Sequence, residues 1–186
     1  AETPVFRDTA GHWAEDAIGF VAQHGLFNGT GDGFFSPDEP MTRGMLVTVL
    51  WRLAGANPAA APADFADVAP DAWYADAVAW ARENNVVQGV GDGQFAPDGL
   101  ITREQLAAML YRYVQLQGLG FTGAWSFLLD YPDAASVSEY AYEPLCWMTM
   151  NEIIRGMGDG TLAPQGNATR AQVATMLMRF AGLLAG

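Results

Sequence analysis

Arginine directly follows threonine three times, at Thr42-Arg43, Thr102-Arg103 and Thr169-Arg170. A guanidinium is permanently charged, and its planar fork grips a carboxylate or phosphate through two hydrogen bonds. Threonine is a favourable helix N-cap, because its hydroxyl accepts from one of the orphaned N–H groups at a helix start. Each pair therefore predicts an arginine in the first turn of a helix, where a cation opposes the helix dipole at a cost of ~0.3 to 1 kcal/mol. Repeating that choice calls for a reason, and two stand open. Each arginine could complete an anion site with the N–H groups of its helix N-terminus and a nearby loop. It could instead pair with the aspartate that opens its copy of the pattern (Asp8, Asp67 or Asp133) or with a loop carbonyl, and lock the structure together.

A glycine-dense loop precedes each pair: Gly29-Thr30-Gly31-Asp32-Gly33, Gly89-Val90-Gly91-Asp92-Gly93 and Gly156-Met157-Gly158-Asp159-Gly160. Such density predicts turns with positive φ or close backbone approach. The first glycine (Gly29, Gly89, Gly156) is the position best suited to let a ligand come near. The loop is neither a dinucleotide fingerprint, lacking the flanking strand and helix, nor a phosphate loop, since no Gly-Lys-Ser/Thr follows. One aspartate per loop is too few for an EF-hand. Trp13, Trp73 and Tyr140 fall in the first turn of the helix ahead of each loop. Aromatics at such a spacing are more often core, yet beside an arginine and a glycine loop they also make platforms for the apolar face of a sugar. His12 and His24 have no ligand-spaced partner and read as surface or capping residues. No Ser-His-Asp, Cys-His or acid–base carboxylate arrangement stands out, so no catalytic residue, metal site or cofactor is assigned.

These residues belong to an internal repeat, which decides the fold. From Trp13, Trp73 or Tyr140 to the second loop glycine is 18 residues in every copy, from there to Pro37, Pro97 or Pro164 is 6, and from proline to threonine is 5. An aromatic-x-Asp step opens each copy (Phe6-Arg7-Asp8, Phe65-Ala66-Asp67, Tyr131-Pro132-Asp133). Apolar residues at helical spacing predict a first helix through Ala17, Phe20 and Val21, through Ala77 and Trp80, and through Trp147 and Met148. Pro144 predicts that the third of these starts late or kinks. A second helix runs through Leu46 and Leu50, through Leu106 and Leu110, and through Val173 and Leu177. The fold class is thus all-α: three helix-loop-helix units whose apolar stripes cover one another in a single domain over 1–186. The copies span about 4–55, 63–117 and 129–184. Ala54 to Asp64 is a small-residue and proline connector. Gln117 to Ser138 carries Trp125, Phe127, Leu128 and Leu129, and is expected to add a short helix against the core.

A composition 51% hydrophobic favours a folded core. The net charge is -12 and all nine basic residues are arginines, so nonspecific attraction to nucleic acid or anionic membrane is not expected. No apolar run reaches the ~18 to 20 residues that span a bilayer, which argues for a soluble protein without membrane insertion. Cys146, in the apolar run Leu145-Cys146-Trp147-Met148, reads as a buried core thiol. The chain opens without a charged and hydrophobic leader, so any secretion signal is expected to have been removed or never present.

Taken together, the aromatic-x-Asp, Trp, G-x-GDG-x-F-x-P and Thr-Arg elements resemble three tandem S-layer homology (SLH) motifs. That resemblance implies a pseudo-threefold helical arrangement with ligand grooves between neighbouring motifs. It implies a noncatalytic anchor at the cell wall of a Gram-positive type of bacterium, carried as a monomeric module of a larger extracellular surface protein. The implied ligand is an anionic secondary cell-wall polysaccharide bearing pyruvylated N-acetylmannosamine. The implied carbohydrate-binding residues are Arg43, Arg103 and Arg170 for the carboxylate, Trp13, Trp73 and Tyr140 as aromatics, Asp8, Asp67 and Asp133 as the opening acids, and Gly29, Gly89 and Gly156. On this reading Arg103→Ala weakens binding and leaves the fold intact. The glutamate that closes the family's Thr-Arg-Ala-Glu signature is Met45, Gln105 and Gln172 here, and Tyr140 replaces the usual tryptophan, which puts the third groove in doubt. A structural or protein-interaction role with degenerate grooves is the other reading that these departures permit.

Overall fold

The structure, a computed structural model, describes residues 4–185; positions 1–3 and 186 of the expected domain lie outside the described residues. Among the described residues there are six α-helices and one 3-10 turn, with isolated β-bridges but no strand. In chain order the helices are α1 (Glu15–Gln23), α2 (Arg43–Leu53), α3 (Ala75–Glu83), α4 (Arg103–Leu116), α5 (Glu139–Met150) and α6 (Arg170–Ala185). The all-α expectation holds, with two helices per copy.

Threonine sets the start of each second helix. Thr42 accepts from Met45 N–H at 3.2 Å. Thr102 and Thr169 form reciprocal capping boxes, each hydroxyl accepting from Gln105 or Gln172 N–H while that glutamine's Oε1 accepts the threonine N–H, all at 3.2 Å. Glutamine thus preserves the cap that glutamate would supply.

The two helices of one copy do not pair with each other. Instead α2 packs on α3, α4 on α5 and α6 on α1, so each second helix lies against the first helix of the next copy and the last closes onto the first. A backbone triangle sits where the three second helices begin. Met41 N–H donates to Ala168 C=O (2.9 Å), Ala168 N–H to Ile101 C=O (3.0 Å) and Ile101 N–H to Met41 C=O (2.9 Å), giving one donor and one acceptor per copy. All three residues are fully buried, and Leu46, Leu50, Leu106, Leu110, Val173 and Leu177 join one continuous core.

Two local expectations need correction. Helix α5 begins at Glu139 and runs on through Pro144. The proline stands past the first turn, so the Tyr140 carbonyl goes without its N–H partner at that position while the helix continues. The segment before the third copy forms no helix around Trp125–Leu129; the single 3-10 turn is Ala134–Ser136. Gly118, Gly120 and Gly123 hold φ of 76°, 108° and 68°, which keeps residues 118–123, just ahead of that run, out of a helix. Most of its apolar residues pack regardless: Leu129 is buried, Phe127 is half-buried against the core, and Phe121 stacks on Trp125 at 4.1 Å, whereas Leu128 is exposed.

Candidate functional site

The N–H groups that open each second helix are already taken. Arg43 and Gly44 N–H donate to Gly99 and Pro97 carbonyls, Arg103 and Glu104 to Gly166 and Pro164, and Arg170 and Ala171 to Glu39 and Pro37, all at 2.8 to 2.9 Å. Every acceptor belongs to the next copy. The anion site built on a bare helix N-terminus is therefore replaced by a backbone clasp between copies.

The arginine side chains follow the same path. Arg43 Nε donates to Phe95 C=O (2.9 Å), Arg103 Nε to Leu162 C=O (2.9 Å) and Arg170 Nε to Phe35 C=O (2.8 Å). Arg103 Nη2 also reaches Arg155 C=O at 2.9 Å, and Arg170 Nη2 reaches Asn28 C=O at 2.8 Å. Arg43 lies over the Phe95 ring at 4.9 Å and Arg170 over Phe35 at 4.6 Å. All three are buried, and of the two readings left open for them the carbonyl contact is real. The carboxylate contact is not: among the described residues the ion pairs within 4.0 Å are His12–Asp38 and Arg155–Glu152. No buried side-chain N or O lacks a hydrogen-bond partner among the described residues, so the guanidinium nitrogens left over face open space.

That space is a set of three equivalent clefts, each walled by all three copies. Cleft A, of about 510 Å³, is lined by Arg170 from copy three, Gly29, Met45 and Arg52 from copy one, and Trp73 from copy two. Cleft B, of about 400 Å³, takes Arg43 from copy one, Gly89, Gln105 and Arg112 from copy two, and Tyr140 from copy three. Cleft C, of about 470 Å³, takes Arg103 from copy two, Gly156, Gln172 and Arg179 from copy three, and Trp13 from copy one. The fold explains the mixture. The clasp brings an arginine forward from the preceding copy, and the packing of second on first helices brings an aromatic back from the following one. Tyr140 thus shares its cleft with Arg43 and Gly89, and not with the arginine and loop of its own copy.

The aromatics are not core. Trp13 and Trp73 stand in turns just ahead of α1 and α3, each 64% exposed, and Tyr140, in the first turn of α5, is 52% exposed. His12 braces one of them: its Nδ1 accepts Ala14 N–H at 3.1 Å, leaving Nε2 to donate to Asp38 at 3.2 Å, with the ring against Trp13 at 5.4 Å. The Tyr140 hydroxyl reaches Glu104 at 3.4 Å. Glu104 is itself held by Ser138 N–H and Oγ–H at 3.0 and 2.7 Å.

A second arginine in each cleft escapes notice in the sequence. Arg52, Arg112 and Arg179 each follow the Thr-Arg arginine of their own copy by nine residues, two and a half turns along the same helix, and share a cleft with the Thr-Arg arginine of the preceding copy. Each donates through Nη1 to a carbonyl of its own copy, Leu26 (3.1 Å), Val86 (3.3 Å) or Ile153 (3.2 Å). Their recurrence at one offset was the available signal, hidden because they ride in an otherwise apolar helix. Burial, then the charge of Arg112, pulls the Arg43 pKa below its ordinary value, as two like charges facing one cleft require.

The other sequence candidates turn inward. Each opening aspartate accepts two backbone N–H bonds from its own loop: Asp8 from Phe35 and Ser36, Asp67 from Phe95 and Ala96, Asp133 from Leu162 and Ala163, at 2.7 to 2.9 Å. None of the three lines a cleft. Burial pushes each carboxyl pKa up, but the paired N–H donors prevail and hold it below the usual aspartate value. Gly29, Gly89 and Gly156 do line the clefts, yet a Cβ on them would come within 2.8 Å of the opening aromatic, Phe6, Phe65 or Tyr131. Internal packing alone demands glycine there. Cys146 is a free, fully buried thiol, raised in pKa by that burial.

This ring of three units with clefts between them matches a known family. The model of the S-layer homology domain matches residues 5–44, 64–107 and 130–174, and the chain belongs to that family. It is similar to the surface-layer 125 kDa protein of Lysinibacillus sphaericus (29% identical, 90% of this chain, 14% of that protein). Similar too are the cellulosome-anchoring protein of Acetivibrio thermocellus (26%, 87% of this chain, 36% of that protein) and the amylopullulanase of Thermoanaerobacterium thermosulfurigenes (28%, 92%, 9%). The chain thus spans well under two thirds of each relative, and the enzyme-named one is matched over only a small part of its length. Family and surface-layer relatives place the module at the cell surface or cell wall. No helix among the described residues is long and apolar enough to cross a membrane.

Proposed function

We propose that the chain is a noncatalytic anchoring module that holds an anionic, pyruvylated secondary cell-wall polysaccharide in its three inter-copy clefts. The observation that carries this reading is the pairing, in every cleft, of an exposed aromatic with two arginines that have no carboxylate partner. A ring face of Trp13, Trp73 or Tyr140 suits the apolar side of a sugar. The free guanidinium edges suit the carboxylate of a pyruvate ketal on N-acetylmannosamine. Clefts of 400 to 510 Å³ lie within the ordinary range for small-ligand sites. Glycine 29, 89 or 156 keeps backbone at the cleft wall, while Asp8, Asp67 and Asp133 act behind it by fixing the loop. The whole-chain charge of -12 is no obstacle, because exposed charges beyond about 8 Å are largely screened at physiological salt.

The relatives named for surface layers and cellulosome anchoring support the coarser half of this reading, a module tethering a larger surface protein. The burial of Arg43, Arg103 and Arg170 on carbonyls favours a second one, in which they only bolt the copies together and the clefts are idle. A pull-down on purified cell-wall polymer, native and stripped of its pyruvate ketal, separates them. Retention on the native polymer and its loss on the stripped one supports anchoring through the carboxylate; equal or absent retention overturns it.

A further inference from the structure

The three clefts share a plan but not a charge. Where cleft A has Asn28 and cleft B has Gln88, the equivalent position in cleft C is Arg155. Arg155 is mostly exposed, and its one acidic contact, Glu152 at 3.5 Å, is exposed as well and does not line the cleft. Cleft C therefore gathers Arg103, Arg155 and Arg179 with no acidic residue in its wall. Cleft B has Arg43 and Arg112, with the buried carboxylate of Glu104 just behind Tyr140. Cleft A has Arg52 and Arg170 but also Glu39, which stands where the other copies have Gly99 and Gly166.

We propose that cleft C, built from Trp13, Arg103, Arg155 and Arg179, is the dominant site for the negatively charged saccharide terminus, and that Glu39 makes cleft A the weakest. This rests on the carbohydrate reading above and adds a rank order to it. Like charges in one wall cannot neutralise each other, so each added guanidinium raises the attraction for an anion, and a carboxylate beside them competes with it. The ranking reverses what Tyr140 suggests in the sequence: the cleft with most of copy three's residues is the strongest.

Two indoles report the clefts separately, Trp13 in C and Trp73 in A. Their side-chain N–H signals, assigned with Trp13→Phe and Trp73→Phe variants, are followed by NMR as the methyl glycoside of pyruvylated N-acetylmannosamine is added. The ketal-free glycoside serves as control. The expected result is that Trp13 titrates at a concentration at least about fivefold lower than Trp73. Arg155→Gln should erase most of that lead, and Glu39→Gln should strengthen the Trp73 response about fivefold, as single solvent-exposed charges do. Both substitutions lie on exposed side chains and should leave the backbone spectrum in place. A Trp73 response that equals or precedes Trp13, or a lead untouched by Arg155→Gln, overturns the ranking and leaves the carbohydrate reading standing. Silence of both indoles overturns the ranking, and silence of the backbone amides of all three clefts as well, Gly89 in cleft B included, overturns the carbohydrate reading with it.

Discussion

Arg103 does two jobs in one side chain. It gives Nε and Nη2 to carbonyls of the next copy, and what remains of its fork faces cleft C. Arg103→Ala would strand two acceptors in a buried place, so it should lose about 2 to 4 kcal/mol of stability, read by chemical denaturation. Loss of binding in that variant therefore cannot be credited to the cleft alone, contrary to what the sequence suggests. Arg179 lacks this double attachment, making one 3.2 Å bond to Ile153 C=O. Arg179→Gln should fold normally and weaken binding of the pyruvylated glycoside at cleft C by about tenfold, measured at the Trp13 indole. The threonine caps, the exceptional Thr-Arg pairs and the glycine positions are legible in the sequence because each recurs at one spacing. Whether a guanidinium meets a carbonyl or a carboxylate is not, since both lie within reach of the same residue types. The aspartates mislead for that reason: an acid that shares a copy with an arginine proves to serve its own loop's backbone.

The loops between helices are where strain is held. Ser36, Ala96 and Ala163 adopt φ of 57°, 56° and 50°, a region costly for residues with a Cβ, and each N–H donates to the opening aspartate of its copy. Asp67→Ala should cost about 1 to 3 kcal/mol by freeing that loop. The three aspartates also set an acid limit. Their folded pKa values lie below the ordinary aspartate value of about 3.9, so the ionised form belongs to the fold. Their contribution is complete above about pH 5 and drains away as pH falls through 4 and below. Thermal midpoints from pH 2 to 7 should show this fall, and Asp→Asn at all three positions should flatten it. Glycine has two meanings at this scale. Gly89→Ala drives a Cβ to 2.7 Å from Gln94 C=O at φ of 85° and should destabilise by more than about 2 kcal/mol. Gly182→Ala, in α6 with open space around it, should stabilise by about 0.5 to 1 kcal/mol. Helix existence follows from periodicity, and the starts of the second helices from their threonine caps. The segment before copy three does not: its apolar content suggests a helix around Trp125–Leu129, whereas the structure has positive-φ glycines at 118, 120 and 123 and a 3-10 turn only at Ala134–Ser136.

Across the whole molecule the copies are not beads on a string. Each second helix is buried by the next copy's first helix, and α6 on α1 closes the ring. Removing copy three takes away the partners of both α1 and α4 and opens the Met41–Ile101–Ala168 triangle. A fragment ending at Gln117 should therefore show no cooperative unfolding transition by circular dichroism, whereas independent copies would keep one. Repeat number and core stripes reveal that the copies share a core, but spacing alone does not say which helix lies on which. That pairing is a matter of connector length and packing, and it is what turns three repeats into three clefts walled by all of them. The most direct test of the clefts is calorimetry of the pyruvylated glycoside on a protein with Arg52, Arg112 and Arg179 all changed to glutamine. Near-UV circular dichroism confirms the fold. Folded protein with binding weakened at least about tenfold is the expected result; folded protein that binds as tightly as the parent would contradict it.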